Sequence, residues 1–508
     1  MIIKFSRLCL FVLSLLFTAS VFAVQPNSLF SDGAVLQQGK PLQIWGTGTD
    51  GEKVAVEFNG RHANAEVKNG KWHITLDPLK AGGPFTLTVA GNNTVEVKNV
   101  LIGEVWICSG QSNMERQLGL RPPQKPIEKW EQEAASADFP QFRMFMVPHA
   151  SAKDPVDDAK GQWLVCTPQN APQFSAVGFF FGRFLHQHLK VPVGMLFTAV
   201  GGTPVEAWTS KEALQSTPSG LAAEQAYEKD VQDYPAKLAA YKTQEPDLLK
   251  KYDADAAEAA KNSKPAPRKP APPRDPAGNY LSRHFNAMVA PLIPYAIAGA
   301  IWYQGESNSG HGLAYRSLFP AMIKDWRTRW GQGDFPFCFV QIASFGHADP
   351  MIREAQFLTL RKVPETAMAV TTDIGDPNDI HPTRKCPVGE RLGLAALHLA
   401  YGGQREYSGP IFENSTISGN KVVLTFTHAD KLLAKDGPLT GFTITADGRT
   451  FVSAQASIEG STVVVSSPDV PKPAAVRYSW AGVTEGNLTN QEGLPASPFR
   501  TDPDPDPQ

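Results

Sequence analysis

Four short loops carry side chains able to do nucleophilic chemistry, and each follows an apolar run. The first is Gly110-Gln111-Ser112-Asn113-Met114, directly behind Val105-Trp106-Ile107-Cys108. A serine at the head of a helix, right after a buried strand, sits at the carboxyl edge of a parallel sheet, where open α/β folds bind ligands. Free N–H groups at that helix start can hold an oxyanion, although the same serine would also serve as an ordinary N-cap. The second loop, Val200-Gly201-Gly202-Thr203-Pro204, follows Val193 to Phe197. Paired glycines let the backbone approach a ligand closely, and Glu206, Ala207 and Trp208 follow on the rim. The third, Trp302-Tyr303-Gln304-Gly305-Glu306-Ser307-Asn308, offers amide side chains as neutral donors to a developing alkoxide. The fourth runs from Asp373 to Pro382 and holds His381, with Asp379 and Asp376 two and five residues before it. Such carboxylates can fix an imidazole tautomer and stabilise the imidazolium. The acidic spacing does not match an EF-hand loop. Each loop alone is a modest signal, but four polar loops at the ends of consecutive strands, with Ser first and Asp/His last, point together to one chemical site at the sheet edge.

The elements that must position these loops are legible as patterns. Glu104 to Cys108, Val193 to Phe197, Ile297 to Trp302, Phe337 to Ile342 and Met368 to Thr372 are short apolar runs. Helical patterns over Val177 to Leu189, Tyr315 to Trp330 and Val388 to Tyr401 lie between them. Strands alternating with helices predict a parallel sheet buried on both faces. Residues 24–100 instead alternate apolar and polar positions between turns such as Asn59-Gly60 and Asn69-Gly70, and residues 408–500 repeat the style. Both read as β-sandwiches. Residues 211–279 interrupt the α/β pattern with an Ala/Lys/Glu-rich stretch, read as a helical hairpin, and a Pro-rich linker. The predicted organisation is therefore a signal peptide (1–23), an N-terminal β-sandwich (24–100), a catalytic domain in two parts (101–210 and 280–407) around the insertion (211–279), a C-terminal β-sandwich (408–500) and a Pro/Asp-rich tail (501–508).

The 508 residues exceed one compact core. A formal charge of -2 leaves no basic footprint for nucleic acid. Lys4 and Arg7, the apolar run Leu8 to Phe17 and Val21-Phe22-Ala23 form an export signal, so no membrane association is expected after its removal. Cys108, Cys166, Cys338 and Cys386 show no CxxC spacing, so no zinc site is expected, and their pairing stays open.

The four blocks resemble those of SGNH (GDSL-like) hydrolases. The wording of Gly103 to Met114, Gly201 to Trp208, Trp302 to Asn308 and Asp379 to Pro382 looks like the sialate O-acetylesterase family and related carbohydrate acetylesterases. That resemblance implies an α/β fold with a flavodoxin-like parallel sheet flanked by β-sandwich domains, an acetylated carbohydrate as substrate, and no cofactor or metal. It implies Ser112 as nucleophile, His381 as base, and an oxyanion hole from the N–H of Ser112, that of Gly202 (or Gly201) and an amide side chain. Many relatives carry Gly-x-Asn-Asp in the third block, where this chain has Gln304 to Asn308, so Gln304 is the first choice for that amide and Asn308 the second. They place Asp three residues before His, where this chain has Asn378, so Asp379 leads as triad acid, with Asp376 behind it. Gln111, Trp208 and Glu306 are the candidate substrate contacts, Trp208 as a stacking platform for sugar. Arg116 or Arg384 would suit a sialate carboxylate. Activity should rise through about pH 6.5, the ordinary imidazole value, unless neighbouring aspartates raise it. Xylan or xyloglucan acetylesterase activity, and a non-catalytic sugar-binding role, stay open as alternatives.

Overall fold

The computed structural model describes residues 23–503. The proposed export signal, apart from Ala23, and most of the tail lie outside them. The centre is a mixed sheet whose main path runs, by strand, Gln162–Cys166, Phe139–Met146, Val193–Ala199, Thr94–Gly110, Gly299–Tyr303, Phe337–Val340 and Thr366–Ala369. All neighbours are parallel except the first pair. Val193–Ala199, Gly299–Tyr303, Phe337–Val340 and Thr366–Ala369 are buried at every position, as strands covered on both faces must be. Helices Ala176–Leu189, Gly312–Trp330, Pro350–Lys362 and Cys386–Tyr401 supply the cover. The chain winds to one side of Thr94–Gly110 first and then to the other. The crevice between its carboxyl end and that of Gly299–Tyr303 is therefore a topological switch point.

The strand leading to the serine is longer than its apolar run. It spans 17 residues, Thr94–Gly110, and its burial changes from alternating to continuous at Val100. Its first half pairs antiparallel with Gly82–Ala90 and parallel with Val35–Gln37. Its second half belongs to the central sheet. No loop separates the two where residue 100 was expected to end a domain. A three-stranded sheet of Gln25–Pro26, Leu42–Thr47 and Lys71–Leu76 packs nearby. Towards the C-terminus, Ile411–Ser418, Lys421–Thr427, Gln455–Glu459 and Thr462–Ser466 form an antiparallel sheet, with further short sheets around a separate core. Arg353, fully buried, ties this part to the central sheet by donating to the carbonyls of Ile342, Ala343, Ala481 and Gly482.

The insertion corrects the expected hairpin. Pro218–Lys261 is one helix of 44 residues, with Pro235 and Pro246 inside it, which gives a length of about 66 Å at 1.5 Å per residue. Tyr227, Tyr234, Leu238, Tyr241, Leu248 and Tyr252 form a half-buried stripe at spacings of three, four and seven. The chain then returns through an extended Pro-rich segment whose Pro270, Pro273 and Pro276 are half-buried at the three-residue period of a polyproline II helix.

Candidate active site

Strand register brings three of the four loops to one edge. Gly110 lies opposite Ala199 on one side and Tyr303 on the other, so the segments after them emerge side by side. Gly110 makes the exit possible. Its φ is +144°, and a Cβ there would lie 2.2 Å from the Tyr303 carbonyl oxygen. Gly110→Ala is accordingly expected to destabilise the fold by more than about 2 kcal/mol, read as a lowered midpoint in thermal or urea unfolding. Beyond it, Gln111 N–H donates to the Tyr303 carbonyl (2.9 Å), and Ser112–Glu115 forms a single helical turn.

The fourth loop comes from the edge strand Thr366–Ala369, three positions from the strand that ends at Gly110, and must cross the sheet edge. It does so by close backbone approach at Gly375, where a Cβ would meet the Ser344 carbonyl oxygen at 2.0 Å. The Gly346 N–H donates to the Pro377 carbonyl at 3.0 Å. His381 thereby reaches Ser112, with Nε2 2.9 Å from Oγ. On the other side of the ring, Asp379 Oδ1 is 3.8 Å from Nδ1 and accepts the backbone N–H of His381 at 2.9 Å. Asp376 turns away, bound to Lys125 Nζ (2.5 Å) and the N–H of Asn378. His381 is held below the ordinary imidazole value by burial first and by the positive charge of Lys385 next, against the opposing pull of Asp379. The acid limb of kcat/KM should therefore lie below about 6.5 and move lower still in Asp379→Asn, checked by a pH–rate profile of both proteins.

Behind the pair lies a buried polar relay that sequence reasoning missed. Lys385 is 1% exposed, and its Nζ donates to Asn113 Oδ1 at 2.5 Å. Asn113 Nδ2 donates to Glu306 Oε1 (2.6 Å) and to the carbonyl of Ile380 (3.0 Å). The residue after the serine thus clamps the residue before the histidine. Burial pushes the Lys385 ammonium down to about 7 and raises the Glu306 carboxyl. Glu306 Oε2 is buried and has no partner among the described residues.

Four expected contacts are corrected. Gln304 is fully buried; its Nε2 donates to the Thr203 carbonyl (3.2 Å) and to Asn308 Oδ1 (2.7 Å). Asn308 Nδ2 donates to Glu206 Oε2 at 2.9 Å. Both amides brace the second loop against the third, so neither faces Ser112. Trp208 is fully buried in the core, its indole N–H on Thr203 Oγ1, and offers no sugar platform. Arg116 is buried too, its guanidinium held by Gln124 and the Lys125 carbonyl. The open cleft around Ser112 is lined instead by Gln111, Gly201, Gly202, Glu306, Ser307 and His381, with Glu115, Arg121 and His149 opposite. Glu115 Oε2 accepts the N–H of Gly201 (2.9 Å), and its Oε1 lies 3.0 Å from Arg121 and 3.3 Å from His149. The backbone N–H groups of Ser112 and Gly202 have no acceptor among the described residues. The thiols of Cys108, Cys166, Cys338 and Cys386 are all free. Among the described residues no group of three or more His, Cys, Asp or Glu could hold a metal ion.

Comparison with known proteins places this geometry. The model of the carbohydrate esterase family described as sialic acid-specific acetylesterase matches residues 102–242 and 274–398. Sialate O-acetylesterase of Rattus norvegicus is 30% identical over 452 residues, covering 79% of each chain. That of Homo sapiens is 28% identical over 487 residues, 86% of this chain and 83% of its own. A carbohydrate acetylesterase from Xanthomonas citri has a solved structure that superposes with a TM-score of 0.79 at 34% identity, covering 94% of this chain and 100% of that one. The protein is thus a carboxylic ester hydrolase. More particularly, the chain belongs to the sialic acid-specific acetylesterase family of carbohydrate esterases, and its activity is that of a carbohydrate O-acetylesterase.

Proposed function

We propose that this esterase works through an acetyl-enzyme on Ser112, a reading carried by the 2.9 Å contact between Ser112 Oγ and His381 Nε2. Neutral His381 takes the hydroxyl proton as Oγ attacks the acetyl carbonyl. The oxyanion is held by the unspent N–H groups of Ser112 and Gly202, with the Gln111 side-chain amide in the part expected of Gln304 or Asn308. Glu115 positions the glycine pair through Gly201. The imidazolium protonates the departing sugar hydroxyl, and water repeats the cycle. Asp379 is the acid that orients the ring.

The substrate we infer is an O-acetylated sialic acid, the class named for the mammalian relatives. Arg121, the one guanidinium lining the cleft among the described residues, is its carboxylate partner. Acetate release from acetylated sialic acid should exceed that from acetylated xylan, and Arg121→Ala should erase the difference. Equal rates on both would reject the sialate reading and favour hemicellulose. The proposed SGNH arrangement is supported by the parallel sheet with its serine at the switch point, and the domain boundaries read from the sequence are proposed with it, apart from residue 100, which lies inside a continuous strand. Export rests on the N-terminal pattern of charge and hydropathy. No helix among the described residues is long and apolar enough to cross a membrane.

A further inference from the structure

Among the described residues, no tryptophan, tyrosine or phenylalanine lines the Ser112 cleft. An enzyme that works on sugar chains has no aromatic ring there on which to stack them. A second cleft, sharing no lining residue with the first, has what the first lacks. Its volume is about 380 Å³, within the usual range for a small-ligand site. It lies between the Leu42–Thr47 and Lys71–Leu76 strands, the Asp157-Asp158 segment and Pro291 to Pro294. Trp45 and His73, register partners across those two strands, both line it.

Trp45 is half-buried, braced edge-on by Phe30 (4.9 Å between ring centroids) and Tyr295 (6.3 Å). Its indole N–H has no acceptor among the described residues. Pro26 and Ile293 extend the apolar floor, and Gln25, Asp157 and Asp158 stand on the rim. Asp157 meets Lys71 at 2.6 Å, but both side chains are more than half exposed, so that ion pair is weak and yields to a ligand at small cost.

We propose that this cleft is a second carbohydrate-binding site, which seats a stretch of a neutral pyranose chain on Trp45 and leaves the chemistry to the Ser112 cleft. An indole offers an apolar face and a polar tip, suited to the C–H face of a pyranose and one hydroxyl oxygen. The carboxylates accept hydroxyl protons. Charge selects the class. Glu66 is paired with Lys53, which leaves Asp157 and Asp158 against Lys71 around the cleft, and partial burial lowers the His73 pKa. A neutral sugar is accepted there, and a carboxylated one is repelled. The site therefore takes the neutral part of a glycan whose acetylated residue lies elsewhere on the chain.

The test is calorimetric titration of the intact wild-type protein with unacetylated xylohexaose, cellohexaose and sialyllactose. At least one neutral hexamer should bind with a Kd of about 1 mM or tighter. Trp45→Ala should weaken it about 10-fold, and Trp45→Phe, which keeps the packing, should weaken it less. Hydrolysis of nitrophenyl acetate should be unchanged in both. If Trp45→Ala fails to fold, Asp157→Ala, at an exposed position, should show the same selective loss. The proposal is overturned by no binding of either hexamer up to about 10 mM, by equal binding to wild type and these variants, or by binding of sialyllactose alone. None of those results would touch the Ser112 reading, which is judged by ester hydrolysis.

Discussion

Ser112→Ala should lower kcat for acetyl ester hydrolysis by about 10⁴- to 10⁶-fold, with KM little changed. The hydroxyl is the atom that bonds to the acyl carbon, and Glu115, an acid in the same cleft, is engaged by Gly201, Arg121 and His149. His381→Gln should cost a similar factor, because the two residues act as one unit and the losses do not add. Some acceleration should survive in both variants, since the free N–H groups of Ser112 and Gly202 remain in place to hold an oxyanion. Initial rates on nitrophenyl acetate, with folding checked by circular dichroism, decide the matter. A Ser112→Ala protein of wild-type rate would remove the nucleophile and the proposed mechanism with it.

Lys385→Met should have the next largest effect, although this side chain touches no substrate. Without its ammonium, Asn113 loses the donor that fixes its amide (2.5 Å), and the buried Glu306 carboxyl loses its nearby positive charge. Leaving one buried charge uncompensated typically costs about 3–5 kcal/mol. The value here should fall at the lower end, because Lys385 is itself only partly charged near its pKa of about 7. Loosening the Asn113 clamp between the serine turn and Ile380 should cut kcat by about 100-fold. The sign of the pH effect separates this role from plain loss of packing. Lys385 pushes the His381 pKa down, so its removal should move the acid limb of kcat/KM to higher pH. Adding Glu306→Gln should recover part of the stability and little of the rate. An acid limb that stays put, with rate and stability falling together, would mean that Lys385 only supports the fold.

The scaffold was readable because its signals are local. Continuous apolar runs mark strands covered on both faces, and Val193–Ala199 and Lys421–Thr427 lie where their patterns place them. Ser112 and His381 were readable because chemistry restricts which residue types can follow such strands. The direction of side chains within a loop is a different matter. Gln304 and Asn308 have the right functional groups at the right edge, yet both point into the bracing of the second loop. Nothing in a spacing of four residues separates that from pointing at the serine. Trp208 failed for the same reason: a ring at a rim can fold inward when an acceptor such as Thr203 Oγ1 waits there. Glu115 was within reach, since three residues along a helical turn place it on the face of Ser112. Lys385 carried no such cue, because its partner Asn113 lies 272 positions away. The long helix was misread as a hairpin because an Ala/Lys/Glu-rich composition does not say where a chain turns, while its apolar stripe runs across Pro235 and Pro246 without a change of phase.

The continuous strand that ends at Gly110 has a consequence for anyone recombining this enzyme. Its first residues are held by the N-terminal sheet and its last deliver the nucleophile, so alignment is set at one end and used at the other. A graft that inserts or deletes a single residue between Thr94 and Gly103 would invert which side chains face inward along the rest of the strand. Exchange of the first hundred residues for a foreign counterpart should yield active chimaeras only when the parity of that strand is preserved.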